Sequence, residues 1–585
     1  MMTLRASFTG DGRIMMDWDD PRDPSDISSG PDLMSIDFFA SLPGAKFSIQ
    51  KRGFRAWTCK LTPATCYRIL YDAPGSVAIT SEDGIYDVAN EFLRSIGDAP
   101  AIQPAIRNMD SWNHQALAYS FARQRKASLL NMGMGTGKSA VAINVLQNDP
   151  ESKTILILCP LSVRSVWRRE FLKHCSIEHD LLILEKGTTK QKADKAKTFL
   201  EMSELRGVTA VIVVNYDTAK LEPFAKWSQS FEWGCIIADE SHRAKSPSSV
   251  TSKYLSRLRG KRKMCLTGTP MPHGPLDIFG QFRFLDSGIY GDSYHRFRSK
   301  YAISGVFGSD HIIAYKNQDD LANKMSLMTY TVGRDVLDLP PVTHNVRTCE
   351  LSPPSKKIYK EMETELIAFV GEGNHATAAN GLVKILRLQQ ITSGHIKDSE
   401  EVVRTIGTEK IDILEEILDE IGPTGKVVVF CNFIHDLDSV AKLCLDNGRY
   451  YGELSGRRKD LTEHAQIPAG VMVLGVQYQA GGVGVDLTGA SYCVFFSATY
   501  NGGNYEQALA RTHRPGQSKN VAYYHILCLE SVDVTIYRAL RSKRDVVSDV
   551  IGSLAGDLDG YDEGDDLGLG TVCGAKRRSS GVRAT

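Results

Sequence analysis

Short apolar runs recur along the chain, each closed by polar residues or a turn. ASLLNMG, TILILCP, AVIVVNY, CIIADES and MCLTGTP fall between residues 127 and 270, and KVVVFCNF, GVMVLGV, SYCVFFS and VAYYHIL fall between 426 and 527. Runs this short, without alternation, read as strands buried on both faces, and helix-like segments lie between them. The pattern predicts an α/β protein with parallel sheets. Between the two series, SPPSKKIYKEMETELIAFV and NGLVKILRLQQITSG read as helices. Two sheets with a helical connection imply two lobes, at 101–345 and 409–545, joined by residues 346–408.

A different pattern precedes the first lobe. AKFSIQKRGFRAWTCKLTPATCYRILY alternates apolar and polar residues about a Lys-Arg-Gly turn, then offers a helix start at Thr62-Pro63. A small hairpin-helix accessory module is expected at 39–100. Residues 1–38, rich in Asp, Pro, Ser and Gly, read as a flexible acidic lead, and residues 546–585 as a polar, Gly-rich disordered tail. No repeat at solenoid periods is present.

The 585 residues exceed what one hydrophobic core serves, which agrees with several structural units. Hydrophobic residues at 42% and charged residues at 24% are those of an ordinary globular chain. No apolar run approaches the roughly 20 residues that cross a bilayer, so no membrane partner is expected. The first residues lack a secretory pattern. Twelve cysteines are scattered singly, and Cys59 and Cys66 have the wrong spacing for a zinc site. Reduced thiols point to cytoplasm, in a bacterial or phage-infected cell, or to a nucleus were the chain eukaryotic. Lys plus Arg balances Asp plus Glu at 69 each. Acid concentrates in DWDDPRDPSD and GDLDGYDEGDD near the ends, leaving the middle more basic and offering tails that could dock protein partners. A monomer is expected.

Candidate chemistry begins at Met132–Ser139, MGMGTGKS, between a strand-like run and the helix-like AVAINVLQ. This is where a phosphate loop belongs. Gly133, Gly135, Thr136 and Gly137 bring backbone amides around phosphates, Lys138 reaches the outer phosphates, and Ser139 holds Mg²⁺. A strict pattern would have Gly where this chain has Met132. About a hundred residues later CIIADESH ends a strand in Asp239 and Glu240. One acid can hold Mg²⁺ and the next can orient or deprotonate the attacking water. ATP and Mg²⁺ are the expected cofactors. QALARTHRPGQ places Gln507, Arg511 and Arg514 along one helix-like segment, the arginines three apart on one face. Arg514 is the candidate arginine finger, with Arg511 beside it.

Taken in order, these blocks resemble the Swi/Snf-like branch of the superfamily II helicases and translocases. CPLSVRSVWRREF, LTGTPMPHGPLDIFGQFRFL, LPP followed by LSPPSKKIYKEM, VVVFCNF, AGGVGVDLTGA and RTHRPGQSKNV complete the series across about residues 101–545. The resemblance implies two RecA-like lobes with ATP in the cleft between them. It implies that Gln115 reads adenine and that Pro160, Leu161 and Ser162 touch a nucleic-acid backbone. Thr267, Gly268 and Thr269, with Gln507, would couple hydrolysis to strand contacts, and Gly481, Gly482 and Gly484 would stand between DNA and ATP. The implied track is double-stranded or branched DNA, and the implied work is replication, recombination or repair. Departures from the family pattern are Ser241 for Ala, Gln479 for Arg, Asp486 for Asn, and Tyr500-Asn501-Gly502 for Trp-Asn-Pro. LRLQQITSG resembles compact bacterial, phage and annealing-helicase members, and the hairpin bearing Arg52, Arg55 and Trp57 faintly resembles the latter's accessory domain.

Basic clusters at Arg164, Arg168, Arg169 and Lys173, and at Arg257, Arg259, Lys261, Arg262 and Lys263, could line a track or be solvated surface. Two other functions fit the residues: a strand-separating helicase on DNA or RNA, and a nucleic-acid-binding scaffold with an inactive ATP site. The presence of Lys138, Asp239, Glu240, Arg511 and Arg514 argues against the scaffold.

Overall fold

The computed structural model describes residues 2–9, 13–18, 38–49, 55–73, 77–81, 83–96, 112–304, 312–371, 378–397, 402–462, 466–478, 480 and 485–542. Contacts divide the chain into two units, Met1–Leu337 and Asp338–Thr585.

The first unit opens with a five-stranded sheet of β1 (Met2–Phe8), β2 (Arg13–Trp18), β3 (Lys46–Ile49), β4 (Arg55–Lys60) and β5 (Val77–Ser81), in the order β3-β4-β2-β1-β5. Residues 2–8 and 13–18 were expected in a flexible lead; instead they form two of its central strands. β1 pairs antiparallel with β2 and parallel with β5, so its partners lie both near and some seventy residues away. Helices Pro63–Tyr71 and Asp83–Ile96 cover the sheet, enclosing Ile14, Met16, Cys59, Cys66, Ile69 and Ile85. Thr62 caps the first of them, its hydroxyl accepting from the Thr65 amide at 3.1 Å. Trp57 lies opposite Phe47 in register, ring centroids 5.3 Å apart, and packs against this core.

A buried carboxylate fastens the module to the rest of the first unit. Asp286 accepts from the Ala64 amide at 3.1 Å and the Gly288 amide at 2.7 Å, and burial raises its pKa. Arg68 donates to the Gly288 carbonyl at 3.0 Å, and Lys60 pairs with Asp292 at 2.6 Å.

The remainder of the first unit is built on β6 (Ala127–Met132), β7 (Thr154–Cys159), β8 (His179–Ile183), β9 (Thr209–Asn215), β10 (Glu232–Asp239) and β11 (Arg259–Thr267). A hairpin of β12 (Ala302–Ser304) and β13 (Ile312–Tyr315) stands apart, and β14 (Thr329–Val332) returns to the sheet. The order is β14-β6-β11-β10-β7-β9-β8, every pair parallel. All seven residues of β9 are buried, as a run without alternation requires. Because β6, β11 and β10 are neighbours, their carboxyl-terminal tips stand side by side.

The second unit holds another all-parallel sheet. It comprises β15 (Val342–Cys349), β18 (Val427–Cys431), β19 (Tyr451–Leu454), β20 (Val473–Gln477), β21 (Tyr492–Phe495) and β22 (Val521–Cys528), with a small hairpin of β16 (His395–Lys397) and β17 (Val403–Thr405) between β15 and β18 in the chain. The order is β15-β22-β21-β18-β20-β19. Residues 342–349, expected partly in the first lobe and partly in the helical connection, pair with β22 over eight positions. Helices Pro353–Gly371 and Ala378–Thr392 come next, and Lys410, at the start of helix Glu409–Ile421, forms a buried ion pair with Asp533 at 2.6 Å. Among the described residues no helix is long and apolar enough to cross a membrane.

Candidate functional site

β6 ends at Met132 and helix Lys138–Gln147 begins six residues later, with Gly137 at its amino-terminal cap. Gly137 has φ +91°, a left-handed conformation that favours glycine, and a Cβ there would stand 2.2 Å from Gln115 Nε2. Gln115 donates instead to the Thr136 carbonyl at 3.0 Å, and His114 Nε2 lies 2.9 Å from the same oxygen. Thr136, fully buried, donates its hydroxyl to the Gly133 carbonyl at 2.7 Å. The Lys138 ammonium donates to the Met132 carbonyl at 2.7 Å, which holds it over the loop. Gly133 packs against Arg334, just beyond β14. Ser139 is the second residue of the helix, in its first turn, where backbone amides have no intrahelical partner.

Two strands away, Asp239 terminates β10. Trp167 Nε1 donates to its Oδ2 at 3.1 Å, the Glu240 amide donates to Oδ1 at 3.0 Å, and the Tyr216 hydroxyl donates to its backbone carbonyl at 2.8 Å. Burial raises the Asp239 pKa, with the neighbouring Glu240 charge adding to it, and Lys138 and the Trp167 hydrogen bond oppose. Such a carboxylate is oriented in advance and favours a cation beside it. Glu240 is buried, with φ +51°, so the two acids turn through a tight corner.

Between these tips lies the end of β11. His242 Nδ1 stands 3.3 Å from Glu240 Oε2 and 3.2 Å from Thr267 Oγ1, and the Thr267 hydroxyl accepts from the Thr269 amide at 3.1 Å. A chain of polar contacts therefore runs from the acid pair to the Thr267-Gly268-Thr269 block. A Cβ on Gly268 would lie 3.2 Å from the Met132 carbonyl, so this block packs on the phosphate loop as well. Ser241, which departs from the family pattern, donates to Gln281 at 2.7 Å, and Gln281 donates to the Pro270 carbonyl at 2.7 Å. His242 lay inside the DESH run; Trp167, Tyr216 and Gln281 carried no sequence signal beyond their residue type.

The residues fit Mg²⁺ and a nucleoside triphosphate. Among the described residues no group of three or more His, Cys, Asp or Glu side chains could enclose a metal. Ser139 and Asp239 match a Mg²⁺ that keeps water and phosphate oxygens in its shell.

Pro160, Leu161 and Ser162 come after β7, where residues Leu161–Val163 form one tight turn before helix Arg164–His174; Leu161 is exposed. They leave the same edge of the sheet as the phosphate loop. Arg164 is engaged with the Leu184 carbonyl at 2.8 Å, whereas Arg168 and Lys173 are exposed. The second basic cluster sits at the opposite edge, where β11 begins. Arg262 is buried, donating to Asp149 at 2.7 Å, and Lys263 donates to the Phe284 carbonyl at 2.9 Å.

In the second unit, helix Gly502–Thr512 carries Gln507, half-buried, and Arg511, buried in its last turn. Asn501 caps it, its side chain accepting from the Asn504 amide at 3.2 Å, so the Tyr500-Asn501-Gly502 departure keeps the cap. Arg514 was expected on the same helical face as Arg511. The helix stops at Thr512, before the residue that precedes Pro515, and Arg514 lies in the turn beyond it, donating to the Val485 carbonyl at 3.4 Å. Asp486 accepts from the Thr488 amide at 3.1 Å and hydroxyl at 2.7 Å. Burial would raise its pKa, but these hydrogen bonds and the nearby Arg514 charge hold it below the usual range. Gly481, Gly482, Gly484 and Gln479 lie outside the described residues.

A family model described as the SNF2-related domain matches residues 112–395, and one described as the helicase conserved C-terminal domain matches residues 409–516. The chain is 24% identical to a DNA repair and recombination protein RAD54-like of Danio rerio and 25% identical to that of Homo sapiens, over 72% of its length in each case. It spans about three fifths of those relatives, 63% and 62%. Protein p41 of Acyrthosiphon pisum secondary endosymbiont phage 1 is 28% identical over 74% of this chain and 95% of its own length. Among solved structures, the Sulfolobus solfataricus SWI2/SNF2 ATPase core in complex with dsDNA is similar at 21% identity, with 78% of this chain and 96% of that chain covered and a TM-score of 0.38.

Proposed function

The chain belongs to the SNF2-related family of helicase-like ATPases, and on that premise we propose that it is an ATP-driven translocase that moves on and remodels double-stranded or branched DNA in replication, recombination or repair. The observation that carries this reading is the polar chain Glu240–His242–Thr267–Thr269, which ties the acid pair to the block beside the phosphate loop.

Mg²⁺-ATP, when bound, supplies the phosphoanhydride whose cleavage drives movement. The loop amides and Lys138 would hold the phosphates, and Ser139 and Asp239 would hold the metal. Glu240, fixed at its corner, orients water and accepts a proton. Arg511 and Arg514 carry the guanidinium charge that a transferred phosphoryl group needs, the role the family resemblance gives them. Pro160, Leu161 and Ser162 grip backbone phosphates without reading bases, as a motor that steps through any sequence needs.

The test is phosphate release without nucleic acid and with duplex, single-stranded, forked DNA or RNA, for the natural chain and for Lys138→Ala, Glu240→Gln and Arg514→Ala. Duplex or forked DNA should stimulate hydrolysis. Glu240→Gln and Arg514→Ala should keep ATP binding while hydrolysis falls by about a thousandfold. Absence of stimulation by every nucleic acid overturns the proposal, and preference for RNA or single strands assigns a strand-separating helicase instead.

A further inference from the structure

A cavity of about 840 Å³ lies where the accessory module meets the amino-terminal edge of the first unit's seven-stranded sheet. The module contributes residues 60–63 and one side of helix Asp83–Ile96; the sheet contributes the starts of β6 and β11 and the turn before β11. Its lining holds eight Lys or Arg side chains against three acids, Glu91, Glu151 and Asp286. Asp286 is committed to the amides of Ala64 and Gly288, and Glu151 is shared between Lys126 at 2.5 Å and Lys261 at 3.7 Å. Arg257 and Arg259 are both exposed, and among the described residues their guanidinium groups make no hydrogen bond or ion pair. The local field is therefore strongly positive, with two planar donor forks free to take an anion.

We propose that this cavity is a second nucleic-acid site, in which Arg257 and Arg259 hold the sugar-phosphate backbone of a strand at the edge of the sheet opposite the nucleotide. The inference rests on the reading of the chain as a DNA motor. Three features define the ligand. Guanidinium forks suit phosphate oxygens. The aromatic rings in the wall, Phe92 and Phe284, are 5% and 0% exposed, so bases find no stacking surface and recognition is by charge, independent of sequence. The site is also remote: β11 runs nine residues from Arg259 to Thr267, roughly 25 Å, so a strand here is not the one touched by the Pro160-Leu161-Ser162 turn. The module forms one wall, which gives it a task beyond packing.

The experiment is fluorescence anisotropy of the full chain with labelled duplex and forked oligonucleotides over a series of salt concentrations. It compares the natural chain, Arg257→Gln/Arg259→Gln, the conservative Arg257→Lys/Arg259→Lys, and a control Lys195→Gln/Lys197→Gln that removes two exposed charges elsewhere. The glutamine pair should weaken forked-DNA binding about tenfold and reduce the slope of log affinity on log salt by about 1.5, two phosphate contacts at about 0.7 to 0.9 each. The lysine pair should keep the natural salt slope with only a small loss of affinity, the control should stay near the natural chain, and ATP hydrolysis without DNA should be unchanged. If the natural chain binds DNA and the glutamine pair binds it with the same affinity and slope, the second site is overturned while the motor reading stands. If the natural chain binds no nucleic acid, both fall. Loss of binding to a poly-glutamate peptide, with DNA binding intact, would assign the cavity to an acidic protein and overturn the proposal.

Discussion

Lys410 Nζ lies 2.6 Å from Asp533 Oδ2, and each side chain is only 1% exposed. Asp533 also accepts from the Cys528 amide at 3.2 Å and the Thr392 hydroxyl at 3.1 Å, so one carboxylate ties together three helices and the end of β22. Removing one partner strands a charge in the core. Lys410→Met should destabilise the second unit by about 3 to 5 kcal/mol in denaturant unfolding, whereas Lys410→Met/Asp533→Leu should recover most of that loss. Equal loss in single and double variants would mean that packing, not the unpaired charge, sets the cost.

At Gly137 two penalties coincide: a left-handed backbone and a Cβ 2.2 Å from Gln115 Nε2. The backbone alone costs an alanine about 1 kcal/mol, and displacing the Gln115 amide removes one of the two side-chain contacts to the Thr136 carbonyl. Gly137→Ala should lower ATP affinity by about tenfold or more in nucleotide titrations. Unaltered affinity would show that the loop rearranges freely.

His242 is the link between Glu240 and Thr267. His242→Ala should leave ATP binding nearly unchanged but cut the stimulation of hydrolysis by DNA about tenfold, within the usual range of coupling between sites. If binding and basal turnover fall together instead, His242 supports the acid pair rather than its communication.

His525 stacks on Phe495 with ring centroids 4.8 Å apart and on His344 at 5.7 Å. Burial pushes His525 down to about 3 and His344 down to about 4, with Arg541 adding its repulsion in both cases. Both folded values lie below the unfolded value near 6.5. The fold therefore favours the neutral rings; this stability is complete above about pH 6.5 and is lost as pH falls toward 4. The melting temperature should drop between pH 7 and 5, and His525→Phe should flatten that dependence. An equally steep profile in the variant would place the sensitivity elsewhere.

The strand tips that gather the candidate site were legible because a parallel sheet exposes its chemistry there, and Met132, Asp239 and Thr267 each close an apolar run. Gln115 needed the family likeness, since no local pattern ties it to a loop twenty residues on. β1 and β2 were not legible: their strand character comes from pairing with β4 and β5, far along the chain, while Asp, Pro and Gly around them suggested a coil. The basic cluster, read as one unit, divides in the structure for a simpler reason. On a strand, neighbours face opposite ways, so Arg262 went into the core while Arg259 and Lys261 stayed outside. Pro515 likewise marked the helix end that separates Arg511 from Arg514.

β6 carries the phosphate loop yet acquires its two neighbours late, β11 about 130 residues downstream and β14 about 200. During synthesis the loop's strand emerges long before either flank exists. A chain cut before Thr329 would leave one side of β6 as a raw sheet edge, prone to join other chains. Fragments meant to isolate the ATP site must therefore run at least through Val332.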